Sequence, residues 1–73
     1  MTTDNKEQRR LTLEITSCRL TQDVQNRPGT GKVAANWLRL AARWARRNGF
    51  LCTAMRMEAR AVECLHAFTE VAA

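Results

Sequence analysis

The sequence has few of the residues that interrupt helices. Among its 73 residues there are one proline, three glycines and no tyrosine. Proline and glycine are the residues that helix interiors tolerate least, so their scarcity favours an all-α fold. A chain of this length forms one domain at most. We therefore expect a single small helical domain that spans residues 1–73.

The sequence also has few of the residues from which catalytic sites are built. It contains a single histidine, His66, and a single serine, Ser17. A serine or cysteine nucleophile needs a base beside it, and His66 would have to serve any such pair. The acidic residues of the last third are spaced like one solvent-facing side of a helix, not like a convergent pair. The sequence predicts that the protein is not an enzyme.

The three cysteines, Cys18, Cys52 and Cys64, form no closely spaced pair. Disulfide-rich secreted domains carry an even, denser set, and structural zinc sites use pairs of neighbouring ligands. On one helix Cys64 and His66 would point about 160° apart, so they could not share an ion. We expect three reduced thiols, no metal and no cofactor.

Long apolar runs are absent as well. No stretch approaches the roughly 20 apolar residues that cross a bilayer, and no basic segment followed by an apolar run marks a signal peptide. Together with reduced thiols, this pattern predicts a soluble, cytoplasmic protein with no membrane partner.

Acidic residues are missing from the most basic part of the chain. The net charge is +5, to which residues 1–30 contribute +1 and residues 51–73 contribute −1. Residues 31–50 contain five basic residues and no acidic residue. Arginine suits both phosphate and carboxylate partners because its planar guanidinium makes two parallel hydrogen bonds to either. The segment therefore indicates a binding face for an acidic partner.

The first predicted helix covers about residues 4–26, a range without glycine, proline or aromatic residues. Asp4 and Glu7 at its start fit a capping box. Two pairs of opposite charge have the i,i+4 spacing that brings side chains together on a helix, namely Arg10–Glu14 and Arg19–Asp23.

This first segment has an alternative interpretation. Apolar and polar residues alternate over residues 11–16, which is the period of a strand. On a helix, the apolar residues instead form two nearly opposite stripes, one of Leu11, Ile15 and Cys18, the other of Leu13, Leu20 and Val24. We favour the helix because of the uninterrupted run and the cap. A helix with two apolar sides must be covered twice, which predicts a homodimer formed across this helix or across the hairpin that follows.

Two further helices follow a turn at residues 27–31. The second is predicted over about 32–48, with Thr30 as its cap, and the third over about 50–72. Asn48-Gly49 ends the second helix and leaves so short a connection that the two must form an antiparallel hairpin.

The second and third helices are predicted to be amphipathic. The apolar face of the second contains Ala34, Trp37, Leu38, Ala41, Trp44 and Ala45. Its opposite face contains Asn36, Arg39, Arg43, Arg46 and Arg47. The third helix has an apolar stripe of Phe50, Ala54, Met57, Ala61, Leu65 and Phe68, widened by Leu51, Met55 and Val62. Its solvent side is marked by Arg56, Arg60 and Glu63.

Residues 28–32, Pro-Gly-Thr-Gly-Lys, look like part of a phosphate-binding P-loop. That loop needs a preceding strand and a serine or threonine after the lysine, and here Val33 occupies that position. We interpret the segment as a turn between helices.

Part of the chain resembles the helix-turn-helix unit of a tetratricopeptide repeat. The resemblance rests on Trp37, Leu40, Ala41, Trp44, Gly49-Phe50, Ala54 and Ala61. It covers roughly half of the chain, shifts by one residue after Trp44 and occurs once, whereas such repeats normally stack. The resemblance implies an antiparallel hairpin with a protein-binding function.

A second resemblance is to ribbon-helix-helix DNA-binding dimers. Residues 11–15 would form the ribbon strand, and the two later helices would form the helical pair after a long connection at residues 21–32. This resemblance implies a small dimeric regulator of DNA.

These observations predict a small non-enzymatic protein-binding module, an adaptor, chaperone or inhibitor, that acts on a larger protein with an acidic patch. The expected partner-binding residues are Asn36, Arg39, Arg43, Arg46 and Arg47, with exposed apolar residues beside them. The alternative is a basic DNA-binding regulator, dimeric and either ribbon-helix-helix-like or helical. Against nucleic acid, the basic helix offers no amide side chain for reading bases apart from Asn36.

Overall fold

The computed structural model of the chain describes the backbone of residues 2–27 and 29–66, with side chains from residue 5 onward. These residues form three α-helices, α1 (Thr2–Asn26), α2 (Gly31–Arg47) and α3 (Leu51–His66). α2 and α3 form an antiparallel hairpin, and α1 packs on it. The predicted all-α class is confirmed. The predicted extension of the third helix to residue 72 lies outside the described residues.

Residues 11–16 belong to α1, so their interpretation as a strand is wrong, and with it the ribbon of a ribbon-helix-helix dimer. The helical spacing brings three widely separated apolar residues, Leu13, Leu20 and Val24, to one side of α1. The hairpin covers that side, where Val24 is buried and the two leucines are half-buried. Burial of apolar residues along the whole helix therefore outweighs the local alternation that favoured a strand.

α1 begins at Thr2, two residues before the predicted start. Asp4 therefore lies inside the first turn, and the predicted capping box is wrong. Glu7 instead accepts hydrogen bonds from the guanidinium of Arg10, at 2.9 and 3.2 Å. The predicted Arg10–Glu14 pair is confirmed at 2.9 Å. Between the described side chains of Arg19 and Asp23 no ion pair forms.

The two connections use glycines in the left-handed region, with φ of +90° at Gly29 and +85° at Gly49. Thr30 occupies the N-cap position of α2, but its hydroxyl makes no cap hydrogen bond and instead donates to the carbonyl of Arg27 at 2.8 Å. At the end of α2, the amides of Gly49 and Phe50 donate to carbonyls of the last turn, at 3.2 and 2.8 Å. This pattern is a Schellman motif, as expected for Asn48-Gly49.

The core lies mainly between α2 and α3 and is built from small side chains. Its buried apolar residues in the hairpin are Ala34, Ala35, Leu38, Ala41, Ala42, Ala45, Ala54, Met57, Ala61 and Cys64. Ala35 and Ala42 were not in the predicted apolar face. Trp37 and Trp44 were, yet both are half-buried at its edge, where Trp44 stacks on Phe50 with ring centroids 5.7 Å apart. The short alanine side chains allow α2 and α3 to approach each other closely.

The predicted sides of α3 need a correction. Arg60, expected on the solvent side, is half-buried and donates to Ser17 of α1, and Arg56, exposed as expected, also donates to Glu14 of α1. Leu51, Met55 and Val62, expected to widen the core face, are 55%, 61% and 52% exposed. The reason is that α1 covers the polar side of α3, so the apolar stripe opposite is left without cover. No helix in the described part of the chain is both long and apolar enough to cross a membrane.

Candidate functional site

The predicted partner-binding residues all lie on the exposed surface of α2. Those with no side-chain hydrogen bond or ion pair to other described residues are Asn36, Arg39, Arg43 and Arg47. The unpaired guanidinium groups keep their full capacity for two parallel hydrogen bonds to an outside carboxylate or phosphate. Arg46 differs, because it is already bound within the molecule.

Arg46 forms a two-pronged ion pair with Glu58 of α3. Its Nε and Nη2 atoms donate to the two carboxylate oxygens at 2.9 and 2.7 Å. The hydrogen bond from Arg46 lowers the pKa of Glu58, and the same bond raises the pKa of Arg46. Both side chains are nearly half exposed, so solvent screens the pair and its contribution to stability is small. The pair nevertheless marks which exposed sides of α2 and α3 lie next to each other.

Glu58 shares one side of α3 with three exposed apolar residues. Leu51 and Met55 precede it by seven and three residues, and Val62 follows it by four. By the same spacing, Arg46 shares one side of α2 with Arg39 and Arg43. The ion pair between them therefore joins a basic stripe and an apolar stripe into one surface. We call it the hairpin face, and define it by Arg39, Arg43, Arg46, Leu51, Met55, Glu58 and Val62.

The opposite side of α3 is covered by α1 through polar contacts. Arg56 donates to Glu14 at 2.8 Å, and Arg60 donates to the hydroxyl of Ser17 at 2.6 Å. Ser17 is fully buried and also donates to the carbonyl of Glu14 at 2.8 Å. These contacts position α1 so that the hairpin face is the side of the hairpin that it leaves open.

A shallow groove of about 290 Å³ runs between α1 and α2. Its walls are mainly apolar, with Leu13, Trp37 and Trp44 among them. The guanidinium of Arg9, which also lines the groove, lies 5.6 Å from the ring centre of Trp44 in a cation–π contact. The groove contains no carboxylate or histidine that could perform acid–base chemistry.

The described side chains contain no group of three or more histidine, cysteine or acidic residues that could hold a metal ion. Cys18 and Cys52 are exposed, whereas Cys64 is buried. Burial raises the pKa of the Cys64 thiol, a hydrogen bond with Thr21 opposes the shift, and the charge of Glu63 adds to it. A buried thiol with a raised pKa is a packing residue rather than a nucleophile.

Within the segment that looked like a P-loop, Gly29 and Thr30 lie in the predicted turn between α1 and α2, and Gly31 and Lys32 already belong to α2. Gly31 is buried at the start of α2, where a β-carbon would lie 2.5 Å from the carbonyl oxygen of Cys64. Close packing of α2 on α3 therefore accounts for this glycine. Sequence periodicity could not reveal the contact, because it joins residues more than thirty positions apart.

The hairpin agrees with the fold implied by the tetratricopeptide resemblance, which extends no further than this supersecondary unit. Comparison with known proteins finds no family model, no curated protein and no solved structure that matches this chain.

Proposed function

We propose that this protein is a small non-enzymatic binding module that docks on a larger protein through the hairpin face, as an adaptor, chaperone or inhibitor. The observation that carries the proposal is the adjacency of two stripes: arginines on α2, of which Arg39 and Arg43 are unpaired, and exposed apolar residues on α3. An apolar patch bordered by unpaired charge is the usual anatomy of a protein-binding surface.

The composition of the hairpin face favours a protein over a nucleic acid as partner. A phosphate backbone offers no apolar surface on which Leu51, Met55 and Val62 could pack. An apolar ridge on a protein does, and packing against it would remove apolar surface from water. Glu58 lies among these residues and would repel phosphate. Arg39 and Arg43 border the apolar residues, where they would attract a partner with an acidic rim and accelerate association.

We also propose that the protein is a cytoplasmic homodimer. The motive is α1, whose Leu11 and Ile15 are 50% and 57% exposed on the side that the hairpin does not cover. Packing these two residues against a second chain would remove apolar surface from water.

The proposed docking is tested by affinity purification from the source cell with matched variants of the chain. Arg39→Ala with Arg43→Ala, and separately Met55→Glu, are expected to release a protein that the unaltered chain retains. The matched control is Arg19→Ala with Arg27→Ala, which removes the same charge from one exposed residue in α1 and one just after it. This variant is expected to retain the protein. A retained protein that all variants hold equally would contradict docking through the hairpin face.

A helical nucleic-acid-binding protein is the second candidate, favoured by the unpaired guanidinium groups of Arg39, Arg43 and Arg47. It is tested by titrating duplex DNA at several salt concentrations. If DNA binds in about the micromolar range or tighter, weakens steeply with salt and is lost on Arg43→Ala with Arg47→Ala, the protein-docking proposal fails.

A further inference from the structure

The outward side of α1 carries a second ordered stripe of exposed residues. The stripe consists of Gln8, Leu11, Ile15, Cys18, Gln22 and Gln25, all exposed. Successive members are separated by three, four, three, four and three residues. This 3.5-residue period is that of the a and d positions in a two-helix coiled coil. We call these six residues the outer seam.

The outer seam is chemically unlike the rest of the surface. It contains no charged residue, although the chain has a net charge of +5. Two copies of a basic protein repel each other at most of their surfaces, and an uncharged strip is where the repulsion on contact is smallest. The inward side of α1 is already used, since Ser17 and Val24 are buried against the hairpin. The outer seam is therefore additional to what the fold of one chain requires.

We propose that the outer seam pairs with the outer seam of a second copy as a parallel, in-register two-helix coil. The inference rests on the proposed homodimer and specifies its interface. Ile15 occupies an a position and Leu11 a d position, the combination that favours two parallel strands. α1 is held helical by the hairpin, so its ordering is not a cost of association.

The orientation follows from which residues would face each other. In a parallel coil each position meets its own copy, so Leu11 and Ile15 meet identical apolar residues. Each glutamine meets a glutamine, and the two amides can exchange hydrogen bonds because each has a donor and an acceptor. In an antiparallel coil that uses all six positions, a faces d, so Leu11 would lie against Gln22. The parallel arrangement alone pairs apolar with apolar and amide with amide.

The arrangement leaves both hairpin faces free, since α1 lies on the other side of each hairpin. The dimer would display two such faces, and a partner with two acidic sites would be bound with avidity.

The first test measures the mass of the protein by sedimentation equilibrium over a dilution series. The unaltered chain is expected to be a dimer that dissociates on dilution, and Ile15→Glu is expected to be monomeric because it places two carboxylates face to face. Met55→Glu is the matched control, since Met55 is exposed to a similar degree, 61% against 57%, but lies on the hairpin face. It should remain dimeric. Circular dichroism verifies that both variants keep their helices.

The second test needs no destabilising variant and uses the native thiols. In the parallel coil the two Cys18 side chains lie at the same level, so copper phenanthroline should link them, accepting two electrons as the two thiols lose their protons. Cys18→Ala should abolish the covalent dimer, whereas Cys52→Ala should retain it, because Cys52 is exposed on α3 outside the outer seam.

The outcomes separate the inference from the proposals on which it rests. A monomer at all concentrations overturns both the homodimer and the outer-seam pairing. A dimer that survives Ile15→Glu and fails to link through Cys18 overturns the pairing while leaving the homodimer intact. Docking on the hairpin face is judged separately, because Ile15→Glu leaves that face unchanged.

Discussion

Gly31 shows how a single residue fixes the distance between α2 and α3. A β-carbon here would lie 2.5 Å from the carbonyl oxygen of Cys64 and 3.8 Å from the side chain of Val24. Any β-carbon at this position would have to push two helices apart, because the nearest atom belongs to the backbone of α3 rather than to a flexible side chain. The glycine is needed here for space rather than for an unusual backbone angle.

We expect Gly31→Ala to lower the free energy of unfolding by about 1–3 kcal/mol through overpacking, although alanine is the better helix former. Urea denaturation monitored by circular dichroism measures the change. Lys32→Ala, at the adjacent exposed position of the same turn, is the control and should be nearly neutral. If Gly31→Ala stabilises the protein, the close contact with Cys64 does not govern this position.

The buried thiol of Cys64 makes the stability of the fold depend on pH. Burial raises its pKa, so the folded chain keeps the proton to higher pH than the unfolded chain does. At neutral pH the titration of this thiol leaves the free energy of unfolding unchanged. As pH rises above the ordinary thiol pKa near 9.0, the free energy of unfolding falls.

In the folded protein, at a dilution where the chain is monomeric, the exposed Cys18 and Cys52 are expected to react promptly with a chromogenic disulfide at neutral pH, and the buried Cys64 only upon unfolding. Counting released chromophore with and without urea measures this, with Cys64→Ala as the control. Three equivalents released at once from folded protein would contradict the burial of Cys64.

At the scale of the elements, two kinds of contact hold the helices together. α2 and α3 share an apolar core of alanines with Leu38 and Met57, whereas α1 is attached to α3 through Glu14 and Ser17. The Arg46–Glu58 pair adds a bridge on the exposed side of the hairpin.

This bridge can be observed directly. NMR titration of the Glu58 carboxyl is expected to give a pKa below the ordinary glutamate value of 4.5, since the hydrogen bond from Arg46 lowers it. The associated stability is present above that ordinary value and is lost as pH falls through the lowered one. Arg46→Ala should return the pKa toward 4.5, while Arg43→Ala, one turn away, should leave it lowered. An unchanged pKa in Arg46→Ala would show that the pair does not form.

At the scale of the whole molecule, the core is unevenly distributed. Among the described side chains, Val24 is the one apolar residue of α1 that is fully buried, and it lies near the C-terminal end of the helix. Leu13 and Leu20 are only half-buried. The hairpin therefore contains most of the stabilising burial, and α1 is the element that can detach at the lowest free energy.

We expect amides of residues 5–14 to exchange with deuterium faster than those of α2, measured by mass spectrometry on peptic fragments. Val24→Ala should increase exchange along α1 more than within the hairpin, because it removes the main apolar anchor of α1. Dilution of the protein should increase exchange in α1 further if the outer seam is covered by a second copy. Equal protection of all three helices would contradict this uneven distribution.

Helix positions were predictable because they depend on local chemistry. Three sequence features determine them, and each acts over a few neighbouring residues. They are the scarcity of proline and glycine, the Asn48-Gly49 pair, and the spacing of Ala34, Leu38 and Ala41. The exposure of Arg39 and Arg43 was predictable for the same reason. The partners of Arg46, Arg56 and Arg60 were not, because each lies on another helix, and an isolated pattern does not reveal which sides of three amphipathic helices will meet.

The sequence by itself determined that this protein is helical, that its basic charge gathers on one side of the second helix and that its first helix has two apolar sides. These are properties of spacing along one chain. Only the tertiary structure decided that Leu51, Met55 and Val62 face solvent beside those arginines and that Arg56 and Arg60 bond to α1. The physical reason is competition for a small interior: α1 covers one side of the hairpin, and the side chains on the other side stay exposed.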